Sequence, residues 1–129
     1  MINHEFRRKT ALIMAEESRY HAEAYEFVAN AVSFTTKRLP EHRHVSAEEL
    51  LEGMRDYARQ EFGVVSAEVL YHWGIRTAAD AGRIVYLLIG VRLLSAAEGD
   101  REEDFYIDFD FSIPLPKTRK KRLKAPVIC

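Results

Sequence analysis

The residues best suited to chemistry in this chain are histidines and aspartates. His42 and His44 are two positions apart, so an extended backbone points both rings to one face and offers two metal ligands, with His21 or His72 as a third. A metal centre also needs that third ligand placed in space and outer partners to orient the rings. Surface histidines beside a turn are the plainer reading, and no metal is assigned. His72, next to Trp73 and ahead of Gly74, has the chemistry of a base, but no serine or cysteine stands at a spacing that pairs with it. A packing or helix-capping histidine is expected there. Asp108 and Asp110 share a face with Tyr106 as a carboxylate pair would, but an exposed, solvated strand face is the ordinary explanation. With no glycine-rich phosphate loop or dinucleotide fingerprint in the sequence, no catalytic or cofactor-binding residue is assigned, no cofactor is implied, and a non-enzymatic role is expected.

Charge offers a second kind of chemistry. The formal net charge is -1, but six of the 19 basic residues (Lys117, Arg119, Lys120, Lys121, Arg122 and Lys124) stand close together near the C-terminus. Residues 1–116 then carry 13 basic against 20 acidic groups, a formal charge of -7. An acidic body with a cationic tail favours an anionic partner at the tail, because attraction depends on where the charge sits. A protein partner is expected, with RNA or DNA reached through the tail as the alternative.

The elements that position these groups follow from periodicity. At 129 residues and 47% hydrophobic, the chain is long enough for one core, and it is read as one domain over 1–113 followed by a basic Pro/Lys/Arg-rich tail over 114–129. The longest apolar run, Ile84 to Val91, is too short to span a bilayer, no secretory leader is evident, and the single Cys129 excludes an internal disulfide. A cytoplasmic protein without membrane contact is the expectation.

A helix is predicted over Asn3 to Ala15. A longer one starts near Ser18 and ends at Leu39 ahead of Pro40, with Tyr20, Ala24, Phe27, Val28, Ala31 and Phe34 or Thr35 as its apolar stripe. Ser46 and Glu49 form a capping box for a third helix, in which Leu50, Met54, Tyr57 or Ala58, and Phe62 face inward and Arg55 faces water. A short helix over Val64 to Trp73 leads to the spine of the domain, Thr77 to Leu94, where Thr77 with Asp80 three residues later reads as a capped helix start and Ala81, Ile84, Val85, Leu88, Val91 and Leu94 recur at helical spacing. Gly82 and Gly90 within that spine imply close approach of a neighbouring helix backbone, since each costs about 1 kcal/mol against alanine.

Beyond it, Phe105, Ile107, Phe109, Phe111 and Ile113 alternate with polar residues as in a half-buried strand. Paired with Leu93 to Ala96, and with His42 to Val45 as a third short strand, it completes a mainly helical α+β fold of four to five helices and a small C-terminal β-hairpin. That is the element order of winged-helix domains. The presumed wing argues against DNA, because it holds Glu98, Asp100, Glu102, Glu103 and Asp104 against Arg101 alone.

The runs Arg19-Tyr20-His21, Ala24 to Val28, His44-Val45-Ser46, Glu49 to Gly53, Glu61-Phe62-Gly63, His72 to Ile75 and Arg101 to Phe105 together resemble an uncharacterised hypothetical-protein family of Planctomycetes and Verrucomicrobia. The resemblance spans roughly residues 19–105. It implies a small bacterial domain of unknown function and transfers no catalytic role to any position. The functional expectation is therefore a binding or adaptor domain whose basic tail docks on an anionic partner, with a nucleic-acid- or ribosome-associated winged-helix-like factor as the alternative.

Overall fold

Both capping boxes form, and they start the two helices that carry the centre of the core. A computed structural model of the chain describes residues 2–41 and 43–112. Its elements are α1 (His4–Glu16), α2 (Ala22–Lys37), α3 (Ala47–Phe62), α4 (Ser66–Trp73) and α5 (Ala78–Gly90), with 3₁₀ turns at Gly63–Val65 and Glu102–Phe105. At the start of α3, Ser46 Oγ accepts from the Glu49 amide at 3.1 Å while the Ser46 amide donates to Glu49 Oε1 at 3.0 Å. Thr77 and Asp80 repeat the arrangement at α5. Asp80 also accepts from the Tyr20 hydroxyl at 2.9 Å and from the Arg76 amide at 3.0 Å, so one carboxylate ties the entry of α2 to the entry of α5.

The α2 stripe is as the periodicity predicts, with Tyr20, Ala24, Phe27, Val28, Ala31 and Thr35 all buried. The helix itself begins later than Ser18, with His21 at its N-cap, and ends at Lys37. It crosses α3 where Gly53 faces Thr35, and any side chain at Gly53 would overlap Thr35 Oγ1. Phe27 of α2 then meets Tyr57 of α3 and Trp73 of α4 at ring-centroid distances of 5.5 and 5.8 Å, which joins the three helices through aromatic contacts. Of the α5 stripe, Ala81, Ile84, Val85 and Leu88 are buried, whereas Val91 and Leu94 lie beyond the helix end and are half-buried.

The expected α+β fold with a C-terminal β-hairpin is not what forms: the described residues contain helices and turns and no strand. The cause lies at the end of α5. Arg92 adopts φ 65°, and the Leu93 and Leu94 amides donate back to the Leu88 carbonyl at 2.9 and 3.4 Å, a Schellman-type closure. That turn takes two backbone donors, those of Leu93 and Leu94, from the segment expected to pair with 105–111. Residues 43–45 are also outside any strand, and His42 lies outside the described residues. Without a partner, the alternating segment satisfies itself locally, through a 3₁₀ turn and a tight bond from the Ile107 amide to the Phe105 carbonyl. The alternation survives in part as burial, since Phe105 and Phe111 are inside, Phe109 is half-buried and Ile107 is 39% exposed. The winged-helix comparison falls with the hairpin, and Arg83 on α5 sits 3.7 Å from both Glu17 and Glu102.

Gly82 is the close approach that its cost implies, but the neighbour is a side chain rather than a helix backbone. A Cβ there would lie 2.5 Å from Cβ and Cγ of Phe105. Gly90 has open space around it and no such role. Arg55 also departs from expectation: it is buried, with its guanidinium 4.7 Å from the Phe109 ring centre and Nη1 3.5 Å from the Asp110 carbonyl oxygen. The described chain ends at Ser112, so the tail and its six cations lie outside the described residues.

Two substitutions check this packing by urea unfolding. Leu88→Ala should cost about 2 to 5 kcal/mol, as for a fully buried leucine. Gly82→Ala should destabilise by about 1 to 3 kcal/mol through overpacking against Phe105, despite the better helix propensity of alanine. A stabilised Gly82→Ala protein would show that Phe105 does not rest on α5.

Candidate functional site

An open groove of about 1000 Å³ lies between α2, α5 and the chain that returns over residues 92–105. Its floor is aliphatic. Val32 comes from α2, Leu50 from α3, Val85 and Ile89 from α5, and Val45, Leu93 and Leu94 from the segments before α3 and after α5. Phe105 and Tyr86 close one end and stack edge to face, with centroids 6.5 Å apart. The rim is polar and carries Arg43, His44, Arg92, Asp100, Arg101 and Asp104.

Most rim charges are already engaged. Arg43 forms a two-pronged pair with Glu49 at 3.0 and 2.7 Å, which fixes the chain entering α3. His44 bonds Asp100 through Nε2, joining that segment to the turn after α5, and Asp100 also accepts from the Ala97 amide at 3.0 Å. Asp104 accepts from the Arg101 amide at 3.1 Å. The guanidiniums of Arg92 and Arg101 form no ion pair with a described residue. Desolvation raises the Tyr86 hydroxyl pKa, helped by the field of Asp100, Asp104, Glu102 and Glu103, and so keeps that phenol neutral.

The sequence-predicted groups are distributed differently from expectation. His44 lies on the groove rim, paired with a carboxylate. His21 and His72 do come together, their ring centroids 5.1 Å apart, where the end of α4 meets the start of α2. Among the described residues, no three His, Cys, Asp or Glu side chains converge to hold a metal ion. Asp108 is exposed, and Asp110 bonds the Ser112 hydroxyl and amide, which hold its carboxyl below the usual range. Sequence reasoning missed the groove because Val45, Leu93 and Leu94 were assigned to strands. Their aliphatic character was the available signal. The position of Arg92 had none, since a positive φ is expected of glycine.

No protein-family model, curated protein or solved structure matches the chain. The resemblance to the Planctomycetes and Verrucomicrobia family thus rests on the sequence runs alone. No helix among the described residues is long and apolar enough to cross a membrane.

The Arg43 pair sets the pH behaviour of one groove wall. Arg43 first, and the Ser46 amide second, pull the Glu49 carboxyl down from 4.5 to about 2. A carboxylate more acidic in the folded state than in the unfolded one stabilises the fold above its unfolded pKa, and that contribution disappears as pH falls through the folded value. Melting temperature should therefore fall between about pH 4.5 and about pH 2 more steeply in the parent than in Glu49→Gln. Superimposable pH profiles for the two proteins would show that the pair does not hold the wall.

Proposed function

We propose that the chain is a non-enzymatic binding domain for a protein partner, with a basic C-terminal tail that docks on an anionic surface. The observation that supports it is the division of charge, -7 on residues 1–116 against six cations over 117–124. Like charges so concentrated lose much of their mutual repulsion when an anionic surface is brought close, and salt screens the gain.

The tail is tested by fluorescence anisotropy with a labelled glutamate-rich peptide and, separately, a labelled oligouridylate, on the full chain and on a chain lacking residues 117–129. The truncated protein should melt as the full chain does and lose salt-sensitive binding to the peptide. Tighter binding to the oligouridylate, with a log-log salt slope of roughly -4 from six neutralised phosphates, would move the partner from protein to RNA. Unchanged affinity and salt dependence after truncation would overturn the tail's role.

A further inference from the structure

We infer that the groove between α2, α5 and residues 92–105 is a binding site for a monomeric anionic amphiphile, a long-chain carboxylate, with its chain on the aliphatic floor and its head at Arg92 and Arg101. This goes beyond the tail-docking reading and does not depend on it. Three observations carry the inference together.

The volume, about 1000 Å³, is at the upper end of the range in which proteins enclose small apolar ligands. Beside the aliphatic side chains from Val32 and Leu50 to Ile89 and Leu94, the Thr36 and Ser46 hydroxyls that also line the groove are bonded to the Val32 carbonyl and the Glu49 amide, and an alkyl chain needs no polar partner. The rim divides by engagement. Arg43 is held by Glu49, while the carboxylates of Asp100 and Asp104 accept bonds from His44, Ala97 and Arg101 backbone or ring nitrogens. What remains without an ionic partner among the described lining residues is two cations, the Arg92 and Arg101 guanidiniums, against one carboxylate, Asp104, whose bond comes from a neutral backbone amide.

Arg92 is held at this place by the backbone. It occupies the left-handed position of the α5 closure at φ 65°, a backbone conformation that disfavours any residue with a Cβ. Glycine at 92 would close the helix more cheaply and would remove the guanidinium from the rim. The cationic run at 117–124 is a poor occupant of the same groove, because it would set like charge beside Arg92 and Arg101.

The test uses ¹⁵N-labelled full-length protein titrated with dodecanoate below its critical micelle concentration, and in parallel with dodecyltrimethylammonium, which keeps the chain and reverses the head charge. Saturable shifts at the amides of Ile89, Leu93, Leu94 and Ala96 are expected. Dodecanoate should bind about tenfold more tightly than the cation, the equivalent of one charge-assisted hydrogen bond. The Arg92→Gln, Arg101→Gln double variant should bring the two affinities together while its amide spectrum stays that of the parent. Leu94→Trp, which fills the groove, should weaken both ligands. Shifts confined to residues 117–124 would overturn the groove and leave the tail reading intact. Equal or tighter binding of the cationic amphiphile would also overturn the inference, and so would a double variant that retains the parent's preference. Should either variant fail to fold, the shift map and the head-charge comparison on the parent decide the matter by themselves.

Discussion

The architecture depends on a missing side chain. Gly82 leaves room on α5 for Phe105, and through that contact the irregular C-terminal segment is laid against a helix rather than against a strand. Tyr86, one turn further along, receives the same ring edge to face. Because Phe105 also closes the groove, the residue that seals the core on one side shapes the recess on the other. A helix-interior glycine costs about 1 kcal/mol. Here it is offset by burying a phenylalanine, a larger gain of about 1.5 to 3 kcal/mol.

Helices were legible wherever start signals and stripes agreed. Ser46 with Glu49 and Thr77 with Asp80 mark the observed starts of α3 and α5, and the α2 stripe from Tyr20 to Thr35 is buried as its spacing requires. The strand was not legible as the irregular segment it is. An alternation such as Phe105 to Phe111 states which residues go inward, and says nothing of whether another backbone is free to pair with them. The amides of Leu93 and Leu94 were already committed to Leu88, through a left-handed arginine that no local rule predicts. Arg55 misled for a related reason: its place on the helical wheel faces water only until the 109–111 segment folds over it.

The groove was legible as composition and not as place. Its floor gathers residues from α2, α3, α5 and two connecting segments, and only packing makes them neighbours. Its rim holds together through contacts of different reach. Glu49 and Arg43 are six residues apart, whereas His44 and Asp100 are separated by 56 and bridge the two connecting segments. The first belongs to the local logic of a helix start. The second exists only once the chain has closed on itself, and no spacing along the sequence announces it.

α1 stands apart in how it is held. It leans chiefly on α2 through Phe6, Thr10 and Ile13, and Lys9 Nζ reaches across to the Val91 carbonyl at 2.8 Å. Phe6, Thr10 and Ile13 are the buried residues by which α1 is held to the body of the domain. When α1 opens, the Lys9 bond is lost and the closing turn of α5 gives up an anchor one residue before Arg92. The Lys9 bond thereby joins the N-terminal helix to the turn that launches the return segment, and loosening of residues 4–16 would be read as faster amide exchange at Leu93 and Leu94.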